Sequence, residues 1–99
     1  NLCGVFLQGA CLEGANLDEV DLTGAQLTGA NLDGANLEGA NLTEITLTGA
    51  TLRRARLNQA ILNKATLSNA DLSGADLNNA HLWGADLCNA RLLDINLRH

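Results

Sequence analysis

The stretch Ala30-Asn31-Leu32-Asp33-Gly34-Ala35-Asn36-Leu37-Glu38-Gly39 runs through one five-residue pattern twice without a break. Reading outward from it, leucine holds the same place in every pentapeptide, from Leu2 and Leu7 to Leu92 and Leu97. A period this regular has to be interpreted before any other signal. It suits neither common element. A helix advances about 100° per residue, which would rotate successive leucines by about 140° around its axis. In a straight strand alternate residues face opposite sides, so Leu37 would oppose Leu32. Only a chain that bends at regular intervals gathers the leucines together. A quarter turn every five residues closes a square coil after four pentapeptides, and coils of twenty residues stack into a solenoid with the leucines inside.

The neighbouring columns agree. Two residues before each Leu, on the same side by the period-two rule, stand alanines such as Ala30, Ala35 and Ala40, replaced only by Val5, Val20, Ile45 and Ile95. The interior is therefore built of one small and one large side chain per repeat. All ten glycines fall two residues after a Leu, and Asn69, Asn79 and Asn89 share that column. Gly and Asn tolerate the positive φ of a type II turn, which marks this column as the corner. Proline is absent, as stacked coils that need their N–H donors require.

Ala-Asn-Leu-Asp-Gly at 30–34, Ala-Asn-Leu-Glu-Gly at 35–39 and Ala-Asp-Leu-Ser-Gly at 70–74 resemble the pentapeptide repeat family, whose motif is A(D/N)LXX. The resemblance runs the length of the chain. It implies an all-β fold, the right-handed quadrilateral β-helix, with Leu and the preceding Ala inward and the other three positions outward. The pattern is weakest over 51–68, where Thr51, Arg56, Ile61 and Thr66 replace Asn or Asp and where Arg54, Gln59 and Lys64 replace Gly. The pattern determines turn geometry least firmly there.

With 99 residues the chain makes a single domain, 1–99, of about five coils, and at roughly 4.8 Å per stacked strand the rod is about 24 Å long. Solenoids carry caps on their first and last coils, and none is visible in this sequence, which opens inside a repeat. A fragment or processed part of a longer chain is expected, or else end-to-end association of copies into a homo-oligomer. Phe6, outward in the first coil, is expected to meet an N-terminal cap. No run of apolar residues is long enough to span a membrane as a helix. Cys3, Cys11 and Cys88 are an odd set, and Cys3 and Cys11 fall on opposite sides of a square coil, which argues for free thiols. Free thiols favour a reducing compartment such as the cytoplasm.

Charge is divided unevenly: residues 1–50 carry seven acidic and no basic side chains, whereas 51–99 carry six basic and four acidic, for a net −5. Stacking in steps of twenty places individual charges. Arg53 comes next to Asp33 and Arg56 next to Asp76, so two of the three clustered arginines, Arg54 being the third, are expected to be spent on cross-coil pairs rather than on phosphates. The overall acidity likewise argues against direct nucleic-acid binding.

Catalysis finds no support. His81 and His99 are the only histidines, and the glycine spacing is accounted for by corners rather than by a phosphate loop. Asp86, Cys88 and His81 come near one another, but a zinc site needs a fourth ligand. The chain is read as a non-enzyme with no cofactor and no metal. The same stacking brings Ile61, Asn63, His81 and Trp83 together on one wall, where most repeats carry small polar residues. Trp is enriched at binding hot spots, so Ile61, His81 and Trp83 are the candidate contacts for a protein partner, and the first functional reading is an interaction scaffold or spacer. The resemblance implies an alternative, because some pentapeptide repeat proteins are DNA mimics that bind DNA gyrase or another type II topoisomerase. Here that would use the acidic surface of Glu13, Asp18, Asp21, Asp33 and Glu38. Magnitudes weigh against it: duplex DNA carries about one charge per 1.7 Å, so a rod of this length would need roughly fourteen charges, against five net.

Overall fold

A computed structural model describes residues 1–98; His99 lies outside the described residues. Parallel β-bridges join residues twenty apart along the whole chain, from Phe6 with Gln26 and Cys11 with Asn31 to Asp71 with Arg91 and Asp76 with Asn96. Each set of twenty residues contains four two-residue turns separated by short extended segments, so each coil has four walls. The first wall holds Leu2, Leu22, Leu42, Leu62 and Leu82. The second begins with Leu7, the third with Leu12 and the fourth with Leu17.

One pentapeptide shows how the backbone is satisfied. Leu32 N–H donates to Thr51 O at 2.7 Å and Gly34 N–H to Arg53 O at 2.8 Å, both in the following coil, while Asn36 N–H donates back to Ala15 O at 2.9 Å in the preceding one. The turn itself is closed by Ala35 N–H donating to Leu32 O at 3.0 Å. Its third residue, Gly34, has φ +67°, as a type II turn requires.

The repeats with a coil on each side follow this plan, 51–68 included. Arg54, Gln59 and Lys64 have φ between 58° and 60°, and Glu19, Glu44 and Asp94, which the sequence pattern does not single out, turn in the same way. Over 51–68, where the sequence pattern is weakest, the turns are therefore regular: the hydrogen bonds to the adjoining coils hold these corners in the left-handed region whatever the side chain. That region costs a non-glycine residue about 1–2 kcal/mol. Space does not limit a corner such as Gly29, where an added Cβ meets nothing within 4 Å.

One amide per repeat is left out of this ladder, that of the residue after Leu. Where the residue before Leu is Asn or Asp, Asn96 excepted, its side chain accepts that N–H: Asn31 Oδ1 takes Asp33 N–H at 3.0 Å, Asn36 takes Glu38 N–H at 3.1 Å and Asp71 takes Ser73 N–H at 3.0 Å. These are Asx turns. They give the Asn or Asp of the repeat a structural task at the entrance to the corner.

The core is a continuous column. Leu22 through Ala80 on the inward positions are 0–3% exposed, and among the described residues no polar or charged side chain is buried with them. Toward both ends the column opens, with Leu2 at 39%, Leu92 at 39% and Leu97 at 44% exposed. The described residues measure 29 × 26 × 22 Å, a prism about as wide as it is tall.

Candidate interaction surface

The first wall brings together the residues expected there. Ile61 and His81 are bridge partners in adjacent coils. Trp83 is 71% exposed, and it lacks the usual Asx turn because position 81 is His. Its amide finds another acceptor: Trp83 N–H donates to Asn63 Oδ1 at 3.0 Å, one coil away. Lys64, the corner residue after Asn63, lays its ammonium over the indole, 5.6 Å from the ring centroid. The lysine stem passes over Gly84, where an added Cβ would stand 3.5 Å from Lys64 Cγ. Glu44, one coil further on the same corner, lies 3.9 Å from the ammonium, with both side chains more than half exposed. The register of twenty pairs Ile61 with His81 and Asn63 with Trp83. Lys64 emerges as their support only once the direction of corner side chains is known.

The arginine cluster is arranged partly as expected. Arg53 binds Asp33 through two nitrogens, Nη2 at 2.7 Å and Nε at 3.0 Å, and its amide donates to the same carboxylate at 2.9 Å. Burial opposes ionisation of Asp33, but the hydrogen bonds from Arg53 and its charge outweigh it and leave the carboxyl below its ordinary range. Arg56 does not pair with Asp76. Its Nη2 reaches diagonally to Glu38 Oε2 at 2.6 Å, because Asp76 is already engaged by Asn78 N–H and by Asn58 Nδ2, each at 3.1 Å. The Asx turn takes precedence over the ion pair. Arg54 forms no ion pair among the described residues, and its stem passes over Gly74, 3.2 Å from an added Cβ.

The acidic surface is correspondingly divided. Asp33 and Glu38 are held by arginines. Asp21 accepts both the hydroxyl and the amide of Thr23, at 2.7 and 3.1 Å, and those bonds, with one from Cys3, hold its carboxyl below the usual value. Glu13 lines a shallow depression of about 300 Å³ with Asp33, Gly34, Arg53 and Arg54. Asp18 lines a second of about 270 Å³ with Glu19, Asn36, Glu38, Gly39 and Gln59.

Cys3, Cys11 and Cys88 are unbridged and exposed. A hydrogen bond to Asp21 raises the Cys3 thiol above its ordinary pKa, and one to Asp86 does the same for Cys88, so neither is an activated thiolate. Asp86 is occupied by the Cys88 amide at 3.0 Å. Among the described residues no group of His, Cys, Asp and Glu is placed to hold a metal ion, and no helix is long and apolar enough to cross a membrane.

The family model for pentapeptide repeats (8 copies) matches residues 1–34, 30–69, 40–79 and 65–99. Among solved structures, a pentapeptide repeat protein from the thylakoid lumen of Arabidopsis thaliana is 32% identical, with a TM-score of 0.80 over 93% of this chain and 61% of that one. A pentapeptide repeat protein of the cyanobacterium Cyanothece 51142 is also 32% identical, with a TM-score of 0.65 over 96% of this chain and 58% of its own. The plasmid-mediated fluoroquinolone resistance protein QnrB1 is 18% identical, with a TM-score of 0.59 over 93% of this chain and 60% of its own, a likeness of fold alone. No curated protein matches the sequence. The chain spans about three fifths of the length of these solved relatives. Matched from end to end by the repeat model and built on the twenty-residue register that the motif demands, the chain belongs to the pentapeptide repeat family.

Proposed function

We propose that this chain is a non-catalytic protein-interaction scaffold, a right-handed square solenoid of about five coils that docks a protein partner through Ile61, His81 and Trp83. The observation that carries the reading is the indole of Trp83, 71% exposed on a wall whose other outward positions are mainly small and polar. Burying an aromatic ring of this kind removes a large apolar area from water, and Trp dominates the energetics of many interfaces. The walls themselves are rigid, because every repeat is hydrogen-bonded to its neighbouring coils, so a partner meets a preformed surface and little ordering entropy is lost.

The alternative, a DNA mimic acting on DNA gyrase or another type II topoisomerase, has less support. Two of its five acidic residues, Asp33 and Glu38, are neutralised by arginines within the molecule, and the likeness to QnrB1 is one of fold. The deciding experiment is an affinity pull-down from source lysate with this chain and its Trp83→Ser variant. A partner retained only by the chain with Trp83 supports the scaffold. Capture that is insensitive to Trp83 and lost at high salt points to the acidic surface instead.

A further inference from the structure

We propose that the Trp83 site selects a partner segment in which an apolar side chain is flanked by a carboxylate, and that Lys64 is the residue that imposes this choice. The inference rests on the scaffold reading above and specifies the chemistry of its site.

An exposed indole is commonly a site for cations, drawn by the negative face of the ring. In this molecule that position is filled from within: the Lys64 ammonium sits 5.6 Å from the ring centroid, and an arriving Arg, Lys or quaternary ammonium would meet a like charge. The rest of the indole surface remains open and apolar. The ammonium is itself under-used. Its carboxylate neighbour, Glu44, is 3.9 Å away, beyond the roughly 2.7–2.9 Å of a charge-assisted hydrogen bond. None of its three donors has a hydrogen-bond acceptor among the described residues. A partner carboxylate approaching beside Trp83 could accept from Lys64 without breaking any hydrogen bond.

The arrangement is held in place. Asn63 Oδ1 fixes the Trp83 amide, Lys64 is set at the corner by its φ of 59°, and Gly84 leaves the lysine stem room to lie across the next coil. The cation and the ring are thus presented together by two adjacent coils of a rigid wall. The site combines an apolar platform with one hydrogen-bonding cation at its edge, and its charge complement is an acidic segment.

The test is selection from a random linear peptide library displayed on phage, with the protein immobilised and clones that bind Trp83→Ser removed. Retained peptides are expected to place Asp or Glu next to Leu, Ile or an aromatic residue. Lys64→Glu should weaken them roughly fivefold or more, and Glu44→Gln, which removes the competing carboxylate, should tighten them by up to about fivefold. Trp83 is the only tryptophan, so its fluorescence follows each titration directly. Retained peptides without acidic enrichment, or binding indifferent to Lys64→Glu in a variant with unchanged circular dichroism, would overturn the inference and leave the scaffold reading standing. Absence of any Trp83-dependent peptide would overturn both.

Discussion

Truncating a leucine in the middle of the column should cost several times more than truncating one at its end. Leu52 is 0% exposed and is enclosed by coils on both sides. Leu52→Ala forfeits the full transfer term and opens a cavity, for a loss of about 3–4 kcal/mol within the range seen for buried Leu→Ala changes. Leu97 is 44% exposed, so little more than half of its burial is at stake, and an open end closes over no cavity. Taking about 1.5–3 kcal/mol for complete burial, Leu97→Ala should cost about 1 kcal/mol. A domain of this length has a total stability of about 5–15 kcal/mol, so the central change removes a large part of it and the terminal change a small part. Urea unfolding followed by circular dichroism measures both, provided the slope m is unchanged between variants. Equal losses at the two sites would refute the reasoning, because they would mean that the ends are as enclosed as the centre.

The corner argument makes a paired prediction: Gly29→Ala, at φ +69° with open space around it, should destabilise by about 1 kcal/mol, whereas Gln59→Gly should be neutral or stabilising by up to about 1 kcal/mol, both read from the urea midpoint. Asn36→Ala removes the acceptor of the Glu38 amide and should cost about 0.5–2 kcal/mol, as loss of a similar amide cap does at a helix start, while Asn36→Asp should retain most of it. Asp21, Asp71 and Asp86 have lowered pKa values: side-chain hydroxyls act first at Asp21 and Asp71, and the Cys88 amide at Asp86. Their stabilisation is therefore complete above the unfolded carboxylate value of about 3.9 and is lost as pH falls through the lower folded values. Melting temperature should be flat from neutral pH to about pH 5 and fall below it, and Asp71→Asn, which can still accept the Ser73 amide, should make the acid decline shallower. An identical acid profile in that variant would show that Asp71 contributes no pH dependence.

The repeat makes most of the fold legible because its positions answer to different physical demands. Leu and Ala report the interior, and the ten glycines report the sign of φ, so a register of twenty can be written down from spacing alone. Side-chain direction at the corners is less visible. Glu19, Arg54 and Lys64 each lie across a glycine of the next coil, at Gly39, Gly74 and Gly84, a pairing that the sequence contains at a separation of twenty but that means nothing until the stem's direction is known. In the sequence Lys64 stands out only as a departure from Gly, and its place over Trp83 cannot be read from that. The partner of Arg56 is misassigned by spacing for a related reason. Placing residues in columns treats an acid one coil away as available, whereas Asp76 is first claimed by the Asn78 amide of its own turn, a local bond with little ordering cost that leaves the arginine to reach along the diagonal.

The same competition explains what becomes of the charge asymmetry. Seven acids in residues 1–50 and six bases in residues 51–99 suggest opposite poles, as if made for head-to-tail contact or for a charged ligand. In the fold three of each meet across adjacent coils: Asp33, Glu38 and Glu44 in the second and third coils stand beside Arg53, Arg56 and Lys64 in the third and fourth. These pairs are largely exposed, each worth about 0–1 kcal/mol, so they do little for stability. Their effect is on what the surface can offer. An acidic wall needs unpaired carboxylates in line, and two of the five proposed for DNA mimicry are covered by guanidinium groups. The loosest of the three pairs, Glu44 with Lys64, is the one beside the exposed indole. A cation held that loosely can change partner without breaking a hydrogen bond, and so among the paired charges the Trp83 wall is where this chain has the most to gain from a protein partner.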